Sequence, residues 1–280
     1  MRSATRGSVV EHLLWLAIIG FVAGTFGTLI GAGGGFVLMP ILLLLYPRES
    51  PELLTSISLA VVFFNASSGS AAYARQKRID YRSAIMFAAA TIPGAILGAL
   101  SSAYIPRQIF NGIFGVVLIS VSAFLLIRPE TTRNFNSDPG RWTASRTIID
   151  AAGTSHTYSF NPVIGIVLSI FVGYVSSVLG IGGGIIHVPA MVQLLDFPVH
   201  IATATSHFVL AVMALTGTIV HIVTGTFSHG MGRTIALVVG VLPGAQLGAK
   251  LSNRVQGKSI IRGLALALGF VGIRILFTAF

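Results

Sequence analysis

The residues best suited to bind a ligand are neutral or cationic groups that lie within long apolar runs. They are two glycine triplets, Gly33–Gly35 and Gly182–Gly184, together with scattered hydroxyls, one asparagine and several histidines. Asp and Glu are almost absent from the same runs. This composition disfavours carboxylate proton relays and Na⁺ sites with acidic ligands. It suits a small anion, which needs N–H and O–H donors.

Each glycine triplet is predicted to end one helix and begin another. The N–H groups and positive dipole end of a new helix attract anions, and two such ends from matching halves of the chain would form one site. An alternative is that the glycines only permit close packing. The predicted substrate-binding residues are Gly33, Gly34, Gly35, Gly182, Gly183, Gly184, Asn65, Ser58, Ser206, His187 and His207.

The spacing of the histidines argues against a shared metal site. His200, His207 and His221 fall on one helical stripe, but the first and last are about 31 Å apart along the axis. We therefore predict no metal and no other cofactor. The pair His187 and His207 could bind an anion when protonated or respond to pH; the alternative is that each is a buried neutral histidine. His200 and His221 are predicted at helix ends, at the membrane interface.

The glycine pattern occurs twice. Glycines 24, 31, 33, 34 and 35 and Pro40 all return 149 positions later. The sequence Pro-Gly-x-x-x-Gly also recurs, at Pro93–Gly98 and Pro243–Gly248, and predicts closely packed helices. We therefore divide the chain into unit one (1–128), a polar linker (129–161) and unit two (162–280). Within the linker, 147–158 predicts a β-hairpin, for which no chemical role is expected.

The composition indicates a membrane protein. Of 280 residues, 54% are hydrophobic and 9% are charged, whereas soluble domains carry about 25% charged residues. The apolar runs are about 20 residues long, enough to cross a bilayer. The net charge of +10 comes from loops between these runs, where it sets topology, so no nucleic-acid partner is expected. These features predict an all-α, multi-pass protein of the inner membrane, surrounded by lipid, and disfavour a soluble α/β protein.

Loop charge helps to choose between two topologies. Leu13–Ile30 and Phe36–Tyr46 would together make a straight helix of about 51 Å, too long for a ~30 Å hydrocarbon core. We therefore predict that they meet at the glycines as a V. This arrangement places the basic clusters Arg75–Arg82, Arg128–Arg146 and Lys250–Arg262 all in the cytoplasm, whereas a single crossing would export the last. The prediction is two inverted repeats with about eight transmembrane segments, the first of each repeat broken at a Gly-Gly-Gly turn, and both termini outside.

The doubled pattern Gly-x-x-Gly-x-x-x-Gly-x-Gly-Gly-Gly…Pro, with a Pro-Gly-x-x-x-Gly helix in each unit, resembles the TauE/SafE sulfite-exporter family. The resemblance covers nearly the whole chain except the linker. Unit two departs from the pattern at Ser176, where unit one has Gly27. The resemblance implies a secondary transporter rather than an enzyme, carrying sulfite, a sulfonate, sulfoacetate or a related small anion. A passive anion channel and an intramembrane histidine–metal enzyme are the alternatives, and assembly as a homodimer is left open.

Overall fold

The computed structural model describes residues 2–127, 143–252 and 258–277. Parts of the predicted linker and of two basic clusters, at 128–142 and 253–257, lie outside the described residues. The helices are α1 (Arg2–Ile30), α2 (Gly35–Leu45), α3 (Pro51–Arg75), α4 (Tyr81–Ser102), α5 (Arg107–Ile127), α6 (Pro162–Leu179), α7 (Gly184–Leu194), α8 (Val199–Val223), α9 (Met231–Leu251) and α10 (Lys258–Phe277). Strands β1 (Ala144–Ile149) and β2 (Ser155–Phe160) lie between α5 and α6.

Several helices begin at side chains that cap them. Ser50 accepts a hydrogen bond from the N–H of Leu53, and Asn161 accepts one from the N–H of Val163. Each cap is followed by a proline at the first helical position, where its fixed φ suits the helix and no N–H is lost. Asp80 caps α4 through the N–H of Ser83. The starts of these three helices therefore follow from local sequence.

Within the described ranges, seven helices are long and apolar enough to cross a membrane. They are α1, α3, α4, α5, α6, α8 and α9, the last with the short helical turn that precedes it. Helices α2 and α7 have 11 residues each. The predicted all-α polytopic class is confirmed at this level.

Two pairs of helices that occupy equivalent places in the units run antiparallel. In the pair α3 and α8, Leu59 lies beside Gly217 and Gly69 lies beside His207, so residue numbers rise along one helix and fall along the other. The pair α5 and α10 behaves in the same way, with the Ser122 hydroxyl bonded to the Ala265 carbonyl at 2.6 Å and Gly115 beside Leu276.

Two further pairs run parallel and join the units closely. Along α1 and α9, Gly240 lies against the Ala17 carbonyl. Farther along both helices, a Cβ added at Gly248 would lie 3.1 Å from the Leu29 nitrogen. Along α4 and α6, a Cβ at Gly94 would lie 2.8 Å from the Tyr174 nitrogen. The backbones approach because these positions lack side chains. The predicted close contacts at Gly94 and Gly244 are confirmed, the latter against Phe21 and Thr25.

Helices α1 and α3 point the same way. Ser68 of α3 bonds to the Leu242 carbonyl of α9, and Gln76 bonds to the Ala249 carbonyl farther along both helices. Since α3 and α1 both run parallel to α9, α2 must carry the chain back between them.

Polar loops gather at two ends of the bundle. At one end, the Gln76 carbonyl accepts from the Ala151 N–H at 3.0 Å, and the Asp80 N–H donates to Thr205 at 3.1 Å. At the other end, Thr226 donates to Glu52 at 2.6 Å, and Arg233 pairs with Glu49 at 2.8 Å. We call these the hairpin end and the Thr226 end.

The predicted β-hairpin is confirmed, and it is packed into the bundle. Strands β1 and β2 pair antiparallel, with Thr147 opposite Thr157. Tyr158 and Phe160 are buried and pack against Phe197 with tilted rings, at centroid distances of 4.4 and 4.9 Å. The segment therefore contributes to the core at the hairpin end instead of acting only as a connection.

Candidate functional site

Glycine supplies the backbone conformation between α1 and α2 and between α6 and α7. Gly33 and Gly34 have φ values of 75° and 79°, and Gly182 and Gly183 have values of 78° and 62°. This left-handed region is costly for residues with a Cβ. We refer to residues 31–35 as turn one and residues 180–184 as turn two.

The two turns touch each other in the middle of the protein. A Cβ added at Gly33 would lie 3.7 Å from the Gly182 carbonyl oxygen, and one at Gly182 would lie 3.4 Å from that of Ala32. Val62 of α3 and Leu210 of α8 pack against both turns. Every residue of the two turns is buried, so this arrangement is closed to solvent.

Helices α2 and α7 begin without a side-chain cap. Their N-cap residues are Gly34 and Gly183, and neither end receives a capping side chain. The first N–H groups of a helix have no partner within the helix. Some of them are already used, because Val37 and Ile186 donate to the carbonyls of Gly34 and Gly183, and Gly184 donates to that of Gly182. The N–H groups of Gly35, Phe36 and Ile185 have no partner among the described contacts and are available to a ligand.

Asn65 lies beside turn one with half of its amide unused. Its Oδ1 accepts a hydrogen bond from the Thr28 hydroxyl at 3.1 Å, whereas its Nδ2 has no partner. That nitrogen lies 3.3 Å from the position of a Cβ at Gly34. Asn65 has no exposed surface, so its free donor faces the uncapped start of α2.

His207 joins the same cluster through Thr28. Its Nε2 lies 3.3 Å from the Thr28 hydroxyl, and its ring meets the edge of Tyr73. Tyr73 in turn donates to the Thr28 carbonyl at 2.7 Å. The Nδ1 of His207 has no hydrogen-bond partner, although the Gly31 carbonyl is near.

Turn two has its own unpartnered side chain. Ser176 is fully buried, its hydroxyl has no partner, and that hydroxyl would lie 2.5 Å from a Cβ at Gly183. Ser58 of α3 donates to the Gly180 carbonyl at 2.5 Å. Ser58 thus holds the turn in place, while the Ser176 hydroxyl remains free beside the start of α7.

His187 and Ser206 form a separate cluster with Ser169. The two nitrogens of His187 lie 3.3 Å from the hydroxyls of Ser206 and Ser169, and the ring packs on Phe87. Both nitrogens are therefore engaged. His187 and His207 have different partners, so the described contacts do not join them as one pair.

The remaining histidines of the stripe differ from each other. His200 is exposed at the start of α8. His221 lies in the last turn, as predicted, but it is 1% exposed and its Nε2 has no partner. His221 is therefore buried inside the protein, and its position at the level of the membrane interface stays a prediction. Among the described residues, no three His, Cys, Asp or Glu side chains come together to hold a metal.

Sequence reasoning left Thr28, Tyr73 and Ser176 out of the candidate site. Thr28 and Ser176 belong to the glycine pattern itself, which was a usable signal. Tyr73 belongs to no motif in the sequence. It is placed in the site only by its hydrogen bond to the carbonyl of Thr28, a residue 45 positions away in the chain.

The fold is that of a polytopic helical membrane protein, and its polar groups are concentrated where two broken apolar segments meet. The chain belongs to the sulfite exporter TauE/SafE family, whose model matches residues 16–275. It is 32% identical over 268 residues to the probable membrane transporter YunE of Bacillus subtilis, covering 94% of this chain and 96% of that one. It is 25% identical over 270 residues to the probable membrane transporter MJ0441 of Methanocaldococcus jannaschii, covering 92% and 93%.

Family membership and these relatives make the chain a membrane transporter with a small-molecule substrate in a lipid environment. No solved structure matches it. The resemblance noted from the glycine pattern is thereby confirmed.

Proposed function

We propose that this protein is a secondary transporter of a small anion, with sulfite, sulfonates and sulfoacetate as the substrate class, in the inner membrane. One observation carries the proposal. Each uncapped helix start has one fully buried polar side chain beside it with an unused hydrogen-bonding atom, Asn65 Nδ2 at turn one and Ser176 Oγ at turn two.

An oxyanion would satisfy these groups together. A buried donor without a partner costs about 1–3 kcal/mol, and hydrogen bonds to charged acceptors are stronger than neutral ones. An anion between the turns would accept from the Asn65 amide, the Ser176 hydroxyl and the free N–H groups of α2 and α7. The positive ends of both helices would add to this attraction. The family's printed description as sulfite exporters favours a sulfur oxyanion among small anions.

The other predicted site residues have supporting roles in this proposal. The six triplet glycines leave space and supply the backbone. Ser58 fixes turn two through the Gly180 carbonyl, and His207 positions Thr28, which orients Asn65. His187 and Ser206 brace α7 against α8.

We further propose that the two units are inverted repeats. The antiparallel pairs α3/α8 and α5/α10 support this, because an axis along the membrane normal would leave equivalent helices parallel. The shared direction of α1 and α3 supports a V at turn one. Transporters with such repeats carry substrate sites near the midplane, where broken helices meet. Opening must separate the turns, since both are buried and in contact.

Binding is tested first by ligand-dependent thermal stabilisation of the purified protein with sulfite, sulfoacetate, taurine and acetate. We expect stabilisation by the sulfur anions. Asn65→Leu and Ser176→Ala should each weaken their binding by about tenfold, the equivalent of about 1.4 kcal/mol. Ser101→Ala is the matched control, because Ser101 bonds only within its own helix. No stabilisation by any sulfur anion, or unchanged affinity in both site variants, would refute the site.

Transport is tested in proteoliposomes by counterflow of labelled anion. Accumulation of label driven by unlabelled anion inside the vesicles is expected of a transporter that exposes one site alternately. A passive anion channel gives no such accumulation, so equal label on both sides would reject secondary transport.

A further inference from the structure

The equivalent halves of the bundle carry different polar contacts. In α3 and α8, Gly69 corresponds to Gly217 and Tyr73 to His221, each pair being 148 positions apart. The correspondence is structural, since Gly69 meets His207 while Gly217 meets Leu59, the residue equivalent to His207. We call the regions beside Gly69 and Gly217 half-path one and half-path two.

Half-path one is closed by its own hydrogen bonds. The Tyr73 hydroxyl donates to the Thr28 carbonyl, and the Thr28 hydroxyl donates to Asn65 Oδ1 while contacting His207 Nε2. Thr28 packs against Gly69, with its Cγ2 2.9 Å from an added Cβ. Tyr73 thus covers the route between turn one and the hairpin end.

Half-path two has equivalent residues in equivalent places, but it lacks the hydrogen bonds that Tyr73 and Thr28 make in half-path one. The hydroxyl of Ser177, the residue equivalent to Thr28, lies 3.5 Å from an added Cβ at Gly217. It has no partner, and neither do the hydroxyl of Ser176 and the Nε2 of His221. All three side chains are buried. These three unpartnered polar atoms extend from turn two toward the Thr226 end.

A surface cavity of about 470 Å³ lies above this row of atoms. Ser50, Leu53, Thr224, Gly225, Thr226 and His229 line it. The Thr224 hydroxyl donates to the His221 carbonyl at 3.3 Å, so His221 lies one helical turn beneath the cavity. The carboxylate of Glu52 at this end accepts a hydrogen bond from Thr226.

We propose that Ser177 and His221 line a hydrated half-path that leads the anion between this cavity and turn two, with His221 as a substrate-contacting residue. Buried polar atoms are normally satisfied by protein or by water, and polar sites of sufficient size hold water. The unpartnered row is therefore where water and a hydrated anion fit. In the equivalent region the Tyr73 hydroxyl bonds to the Thr28 carbonyl across the route, although the Nδ1 of His207 beside Gly69 also has no partner. The identity of the cargo rests on the proposed function; the hydration of the half-path does not.

Because the chain contains no cysteine, single cysteines can report hydration directly. Ser177→Cys and Thr28→Cys are compared for their reaction rate with a small anionic methanethiosulfonate reagent in the folded protein, with exposed Ser228→Cys giving the maximal rate. We expect Ser177→Cys to react at least tenfold faster than Thr28→Cys. Equal rates at the two positions would overturn the half-path. Ser176→Cys is the second probe if Ser177→Cys does not purify, and the same comparison applies to it.

His221 is tested with sulfoacetate, which does not consume the reagent. We expect His221→Leu to lower sulfoacetate uptake at least tenfold and to slow labelling of Ser177→Cys, whereas His200→Gln, an exposed change on the same helix, leaves both unchanged. Normal uptake and labelling in His221→Leu would overturn the role of His221. If the wild type neither binds nor transports any sulfur anion but Ser177→Cys still reacts fast, the half-path stands and the proposed function fails.

Discussion

Gly34 and Gly183 have a left-handed backbone and no room for a side chain. A Cβ at Gly34 would lie 2.7 Å from the Ala23 carbonyl oxygen, and one at Gly183 would meet the Ser176 hydroxyl. From sequence alone, a larger residue at either position is predicted to block the ligand while the protein still inserts normally. In the structure, a residue with a side chain at either position would also pay roughly 1–2 kcal/mol for the left-handed backbone, and its Cβ would collide with the neighbouring atoms. Substitution at these positions is therefore expected to affect folding as well as binding.

We therefore expect Gly34→Val to lower the yield of folded protein as well as binding. Gly153→Val separates the two causes, because Gly153 has a φ of 84° but nothing within 4 Å of an added Cβ. It should show only the backbone cost. Size-exclusion profiles and melting temperatures measure the effect. A Gly34→Val protein as stable as Gly153→Val would show that the Ala23 carbonyl moves aside easily.

Ser176 and Asn65 differ in what their replacement removes. The Ser176 hydroxyl has no partner, so Ser176→Ala removes no hydrogen bond of the folded protein. Asn65→Leu also removes the Oδ1 that accepts from the Thr28 hydroxyl. Ser176→Ala therefore tests the anion site more cleanly than Asn65→Leu or a change at the glycines.

At the scale of the helix, the close pairs α1/α9 and α4/α6 depend on small residues at four-residue spacing. A Cβ at Gly244 would lie 3.1 Å from the Thr25 nitrogen and closer still to the Phe21 carbonyl. Without a hydrophobic driving force inside the bilayer, helices gain their affinity from such close backbone packing.

Gly244→Leu should therefore reduce folded yield and lower the melting temperature in detergent. Gly232→Leu is the matched control on the same helix α9, since nothing lies within 4 Å of a Cβ there. Fluorescence-detected size exclusion after heating gives the comparison. Equal stability of the two variants would contradict close packing at Gly244.

The β-hairpin is held to the bundle by a buried carboxylate. Asp80 is 5% exposed and accepts hydrogen bonds from the hydroxyls of Ser83, at 2.5 Å, and Tyr158, at 2.8 Å. Burial, followed by the hydrogen bond to Asp80, raises the pKa of the Tyr158 phenol well above its usual value of 10.0. Tyr158 therefore stays protonated and remains a donor at any physiological pH.

Tyr158→Phe should destabilise the protein by about 1–3 kcal/mol, because it leaves a buried carboxylate oxygen without this donor. The packing of the ring on Phe197 is retained, so the loss reports the hydrogen bond. Thr147→Ala, which removes an exposed contact with Thr157 on the same hairpin, should have little effect. Denaturant midpoints of the purified proteins distinguish them, and equal midpoints would mean that Asp80 is satisfied without Tyr158.

At the scale of the whole molecule, the two polar ends of the bundle place loops from non-equivalent positions of the units side by side. The loop after α3 and the end of α9 meet at the hairpin end through Gln76 and Ala249. Basic residues favour the cytoplasmic side, and both segments are basic. Inverted repeats predict that these two segments lie on the same side of the membrane. In such an arrangement, the loop after the second helix of unit one and the loop after the third helix of unit two face the same side.

Single cysteines test that topology. Lys77→Cys and Lys250→Cys, both exposed at the hairpin end, should resist an impermeant thiol reagent added outside intact cells. Ser228→Cys, exposed at the Thr226 end, should react. Labelling after permeabilisation confirms that each cysteine is reactive. Labelling of Lys77→Cys and Lys250→Cys from opposite sides would exclude the inverted arrangement.

Sequence reasoning predicted the helical membrane class, the hairpin and the close-packed glycines Gly94 and Gly244. These features follow from composition and short-range spacing: apolar runs of bilayer length, a turn between β-forming residues, and small residues on one helix face. The family resemblance was readable for the same reason, since the doubled glycine pattern is a local signal.

The contacts between polar groups are visible only in the folded arrangement of the helices. Val62 and Leu210 cover the turns, His187 binds two serines, and His221 is buried beneath a cavity instead of lying at a surface. Helical periodicity shows which residues share a face but not which face of another helix will oppose it. That choice depends on the packing of all helices at once. The hydrogen bond from Tyr73 to Thr28 and the unpartnered Nε2 of His221 could therefore be known only from the folded chain.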